Sequence, residues 1–144
     1  MDTKSMKHKK SIQITAVILS LLLMSVLLTG CGGNNLSSVF DEKTIVEQAK
    51  RDIETAESGD YDAWLKRFEP TLQKSLTEDS YNSYKSLVKA KGTFKEFKKY
   101  AVAGQSKNGA DYAIIVFNTS YADGSLQYTI FYDKDMKLAS FSAK

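Results

Sequence analysis

The chain is poor in the residues that most often carry chemistry. It holds one cysteine, Cys31, one histidine, His8, and one proline, Pro70. Cys31 and His8 both stand in the first 31 residues, so the rest of the chain has no Cys-His or Ser-His dyad, no zinc site of the usual ligands and no near-neutral imidazole base. Carboxylates, lysine, tyrosine and hydroxyls remain, and no metal or other cofactor is expected. An excess of either charge is missing too. The whole chain carries +3, but Lys4, Lys7, Lys9 and Lys10 against Asp2 supply all of it, leaving 16 basic and 16 acidic side chains after residue 30. That balance leaves no global basic footprint, and no nucleic-acid partner is expected.

Only one long apolar run is present, Ile12 to Leu28, behind a lysine-rich start. It is borderline in length for a membrane span, so an uncleaved signal anchor is one reading of it. The run ends on Leu28-Thr29-Gly30-Cys31, which resembles the lipobox of bacterial lipoprotein signal peptides. The resemblance implies a signal peptide over 1–30 and a Cys31 whose thiol takes up a diacylglyceryl group as a thioether. Small Thr29 and Gly30 leave the bond before it open to a peptidase. Two or more palmitate-type chains suffice for stable anchoring, at about 0.8 kcal/mol per buried CH₂. The expected address is the outer face of a bacterial cytoplasmic membrane, with the membrane as the partner of Cys31. Residues 31–40 then read as lipidated cysteine and flexible tether, Gly32 to Ser38 spanning about 15 Å on average. Residues 41–144 are the expected domain, and the 114 residues from Cys31 onward are enough for one modest core.

Within that domain, Ile45, Ala49, Ile53 and Ala56 recur at helical spacing between an Asp41 N-cap and Gly59. Asp60 caps a second, short helix carrying Tyr61, Trp64, Leu65 and Phe68 before Pro70. Thr77 caps a third, with Tyr81, Tyr84, Leu87 and Val88 on one face before Gly92. After Gly92 the period becomes alternating. Asn108-Gly109, Asp123-Gly124 and the Asp133-Lys134-Asp135 corner divide it into four antiparallel strands near 93–104, 110–122, 125–133 and 137–142. The fold class is therefore α+β, three N-terminal helices packed on a four-stranded antiparallel meander. The second and third strands are its expected centre, and one face carries the helices.

Gly59-Asp60-Tyr61-Asp62-Ala63-Trp64, Leu76-Thr77, Gly92-Thr93-Phe94-Lys95, Tyr112 through Phe117, Tyr121-Ala122-Asp123-Gly124 and Lys137 through Phe141 resemble the turn and core positions of a family of small Gram-positive lipoproteins and secreted proteins of unknown function. The resemblance covers residues 42–141. It implies a cystatin-like, nuclear-transport-factor-like cone, a fold that hosts ketosteroid isomerase-like enzymes as well as non-catalytic binding modules. Fold alone does not choose between them.

If the cone holds a pocket, Tyr61, Trp64, Phe68, Tyr84, Tyr112 and Tyr128 are its candidate lining; the same rings are what helices need to cover a sheet. Catalysis would use Tyr112, Tyr128 or Tyr132 as donor with Asp111 or Asp133 as base. Those aspartates sit beside turns, where carboxylates face water, so no catalytic residue is assigned and the domain is expected not to be an enzyme. Residues 85–107 carry seven lysines against Glu96 alone, a surface for anionic lipid or wall polymer or simply a solvated face and a lysine-protected edge strand. Asn118-Thr119-Ser120 matches a glycosylation sequon but falls inside an expected strand. The expectation is a lipid-anchored extracytoplasmic binding or interaction module for a cell-envelope ligand or protein. The alternatives are a cavity enzyme using Tyr and Asp, and a homodimer formed through the sheet around Ile115, Phe117 and Phe131.

Overall fold

Asp41 starts the first helix by accepting the Thr44 amide at 2.8 Å, which satisfies one of the donors every helix leaves open at its N-terminus. The computed structural model describes residues 35–144; the expected signal peptide and Cys31 lie outside them. Helix α1 runs Glu42–Glu57 and buries Ile45, Ala49, Ile53 and Ala56 as their spacing requires, together with Val46 and Asp52. Helix α2, Tyr61–Leu65, follows an Asp60 cap. Among the described residues the expected three helices are four, because the chain restarts at Pro70 in a short α3, Pro70–Gln73. Proline has no amide to lose at a first helical position, and its ring presets the helical φ. Thr77 and Ser80 cap each other across the start of α4, Glu78–Lys89.

Strands β1 (Phe94–Lys107), β2 (Ala110–Tyr121), β3 (Gly124–Tyr132) and β4 (Leu138–Ala143) form one antiparallel sheet in sequence order. Asn108 and Gly109 both take positive φ, 53° and 76°, the conformation a two-residue hairpin with right-handed twist demands. The next turn differs from expectation: Gly124 pairs with Tyr121 and opens β3, leaving Ala122 and Asp123 as the loop. Their amides donate to Thr93 O and Lys91 O at 2.8 and 2.9 Å, so the α4–β1 connection holds the turn. Irregular pairing near Glu96 and Tyr100 and the exposed Lys95, Lys98 and Lys99 mark β1 as a protected edge.

Alternation decides the two faces of the sheet. Ala113, Ile115, Phe117 and Thr119 of β2 and Leu126, Tyr128, Ile130 and Tyr132 of β3 lie under the helices, each 1% exposed or less. Burying an Ile or Phe this fully stabilises the fold by about 1.5–3 kcal/mol. The opposite face carries Tyr112, Ile114, Val116 and Phe131, all half-buried. Ile115, Phe117 and Phe131 therefore do not form one exposed patch. The register sets Phe131 opposite Ile114, whereas Ile115 and Phe117 point into the core. An outward apolar patch exists, but on the alternate residues.

Asn35 to Phe40, the last part of the expected tether, lies against the domain. Leu36 packs on the core and Phe40 is 8% exposed. Asn35 O and Leu36 Cα pass 2.6 and 3.0 Å from where a Cβ on Gly104 would stand, an approach only glycine permits.

Candidate functional site

Two carboxylates of α1 reach the sheet, and tyrosine hydroxyls meet both. Asp52 falls on the buried stripe of the helix, one turn after Gln48. It accepts from Arg67 Nε at 2.6 Å, Arg67 Nη2 at 3.3 Å, Gln48 Nε2 at 3.1 Å and Tyr132 OH at 2.7 Å. Arg67 is aimed by its neighbours: Leu138 N–H donates to its carbonyl, and Phe68 makes a parallel bridge to Leu138 at the start of β4. Its Nη2 also donates to Met136 O at 2.7 Å. Burial alone would lower the Arg67 pKa, but the Asp52 carboxylate outweighs it and the guanidinium stays above its ordinary value. Tyr132 is pushed up by burial and then by the Asp52 charge. Every partner of Asp52 is already in place, so this group is a clamp joining α1 to the sheet.

Glu57, half-buried, is the last residue of α1, five residues past Asp52. Tyr121 OH and Tyr128 OH both donate to its Oε1, the second at 3.0 Å. Tyr84 OH lies 3.0 Å from Tyr128 OH. A phenol has one proton to give; with that of Tyr128 on Glu57, Tyr84 is the donor to Tyr128, and the three hydroxyls run inward to one carboxylate. Burial pushes Tyr121 up to about 12, helped by its bond to Glu57, and burial pushes Tyr84 and Tyr128 well above the ordinary range. All three remain neutral donors at physiological pH. Tyr81 OH reaches Ala56 O at 2.8 Å and Lys85 Nζ reaches Glu57 O, so α4 also satisfies the open carbonyls at the end of α1.

The structure brings five of the six candidate lining residues together. Tyr61, Trp64, Phe68, Tyr84 and Tyr128 form one aromatic cluster with Tyr81 and Phe141, Trp64 meeting Phe68 edge-on at 4.7 Å and Tyr81 at 4.9 Å. The rings fill the space between helices and sheet with one another. Trp64 Nε1 is buried there without a hydrogen-bond partner among the described residues. Tyr112 is the residue left out, because alternation places it on the far face of β2. The proposed bases are elsewhere as well. Asp111 accepts from Ser106 beside the first hairpin, and the Ser106 and then the Ser37 hydroxyl lower its pKa. Asp133 accepts the amides of Asp135 and Lys137 at 2.9 and 2.8 Å within the β3–β4 turn, and adds its charge to the burial that raises Glu69. The carboxylates that meet tyrosines are Asp52 and Glu57 instead. Surface depressions of about 410 Å³ lie along α4, lined by Asn82, Lys85, Ser86, Val88 and Lys89, and beside the first hairpin at Asn35, Ser37, Gly104 and Asp111.

These features define an α+β domain whose helices cover one face of a four-stranded antiparallel sheet, tied down by two tyrosine-carboxylate networks. The chain belongs to the family described as Protein of unknown function (DUF3887), whose model matches residues 49–141. The NMR structure of a protein from Ruminococcus gnavus ATCC 29149 is similar, with a TM-score of 0.71 and 42% identity over 78% of this chain and 99% of that one. No curated protein matches the chain.

Proposed function

We propose that the protein is a lipid-anchored extracytoplasmic binding module, held through Cys31 on the outer face of a bacterial cytoplasmic membrane, with a cystatin-like cone as its domain. The anchor rests on the lipobox Leu28 to Cys31. The cone is supported by helices that lie on one face of an antiparallel meander. The observation that carries the binding role is the asymmetry of the sheet. The helical face is filled by its own rings, and the opposite face carries Tyr112, Ile114, Val116 and Phe131, apolar side chains left half-buried there. Ligand or protein recognition then belongs to the outer surface, where an envelope component or a second copy of the chain fits better than a small molecule inside.

Intact mass of the membrane fraction tests the anchor: a diacylglyceryl-modified N-terminal cysteine is expected, and Cys31→Ser removes that modification. A photo-reactive residue at Val116, used in living cells, tests the face. Cross-links there, absent when the same group replaces exposed Glu54, support it; equal labelling at both sites sinks it.

A second reading, a tyrosine-carboxylate enzyme of the isomerase kind, is favoured by one observation, the meeting of Tyr121 and Tyr128 on Glu57. It requires the Tyr84 side to open, since every hydroxyl is now engaged within the protein. Glu57→Gln would abolish turnover while leaving the fold intact; turnover unaffected by that change ends this reading.

A further inference from the structure

The N-terminal segment restricts which end of the domain can face the lipid. Three residues, Gly32, Gly33 and Asn34, separate Cys31 from Asn35. At no more than about 3.6 Å per residue, that length keeps Asn35 within about 14 Å of the acylated cysteine. Asn35 is not free to swing: its carbonyl and Leu36 Cα are seated on Gly104, Leu36 packs on the core, and Ser37 lines the same depression as Asp111. Gly104 pairs with Ala113 and Ser106 with Asp111, so the seat is the hairpin end of β1 and β2.

From that end β2 extends 12 residues to Tyr121, about 36–40 Å at the usual strand rise. Helix α1 leaves the anchored segment in the same sense, its 16 residues covering about 24 Å before Glu57 meets Tyr121. Measured from the seat at Ala113, eight residues before Tyr121 and about 26 Å from it, the far end is still nearly twice as distant as the tether can reach. The surface beside the seat suits a headgroup layer. Ser106, Lys107 and Asn108 are exposed at the hairpin, and Val39, three residues past Leu36, is an aliphatic side chain left 62% exposed. The outward face of α1 is mixed in charge, exposed Glu42, Glu47 and Glu54 standing with exposed Lys43 and Arg51, and offers no cationic surface to anionic lipid.

We propose that the β1–β2 hairpin and the Asn35–Val39 segment rest on the lipid headgroups, so that the Glu57–Tyr121 end and the β2–β3 turn are presented outward. The orientation rests on the reading of Cys31 as lipidated. The test uses the full-length chain, lipidated in a bacterial host, with Lys107→Cys or Ala122→Cys. Both positions are exposed, and with Cys31 held as a thioether the introduced thiol alone takes a fluorophore. In vesicles of phosphatidylglycerol and phosphatidylethanolamine doped with nitroxide-headgroup lipid, the label at 107 is expected to be quenched several-fold more than that at 122. Equal quenching, or stronger quenching at 122, overturns the orientation and leaves the anchor standing. A chain whose intact mass shows no added lipid overturns the anchor and the orientation with it.

Discussion

Asp52 shows how much of this molecule turns on single polar groups. It accepts four hydrogen bonds at 1% exposure, and a buried ion pair broken on one side leaves an uncompensated charge. Asp52→Ala, which strands Arg67, is expected to cost about 3–5 kcal/mol in urea unfolding, and an apolar replacement of both partners much less. A single-site loss under about 1 kcal/mol would mean that the pair is not closed in solution. The tyrosines give a pH prediction. Tyr84, Tyr121, Tyr128 and Tyr132 all have folded pKa values above the ordinary 10.0 of the unfolded chain. Their neutral forms therefore contribute stability that is complete below that value and is lost as pH rises above it through the raised folded values. Phenolate absorbance of these groups should appear together with loss of helical circular dichroism; ionisation well before unfolding would contradict their burial. The sequence carries half of this site. A carboxylate at position 52 lies inside the apolar stripe of 45, 49, 53 and 56, which marks it as buried. Its partners Arg67 and Tyr132 are 15 and 80 residues away, and no local pattern points to them.

The helix caps were legible because they are local. Asp41, Asp60 and Thr77 each precede a helical period, and each accepts the amide three residues on. Thr77→Ala removes half of a reciprocal box and should lower stability by about 1 kcal/mol, with amide exchange in the first turn of α4 rising more than elsewhere. The same locality explains the misplaced second turn. Asp123-Gly124 is a strong hairpin signal, yet the Ala122 and Asp123 amides, which donate to Thr93 O and Lys91 O, settle the loop one residue earlier. Tertiary contact also captured the expected tether. Gly104→Ala would drive a Cβ into the backbone at Asn35 and Leu36. The segment should lift off, and the Phe40 amide, which donates to Ser37 O at 3.0 Å, should lose its exchange protection. Unchanged protection at Phe40 would show that the segment is held without the Gly104 contact.

For the molecule as a whole, the outer sheet face is where association is expected. Ile114→Lys there should change stability by less than about 1 kcal/mol, since the position is half-buried and alternation sets it on the face opposite the core. Sedimentation of the domain tests the face as a self-interface: a dimer that the substitution dissociates supports it, and a dimer indifferent to it places the contact elsewhere. The sequence by itself determined the α+β class, the succession of helices followed by strands and the central pair of strands, because periodicity and capping act over a few neighbouring residues. Tertiary structure alone decided which of two apolar strand faces is covered, since β2 alternates between two sets of apolar side chains and only packing chooses. It likewise decided that the carboxylates meeting tyrosines are Asp52 and Glu57 rather than Asp111 and Asp133. Side chains from helix and strand converge there through burial and register, and neither is written in the spacing of any one element.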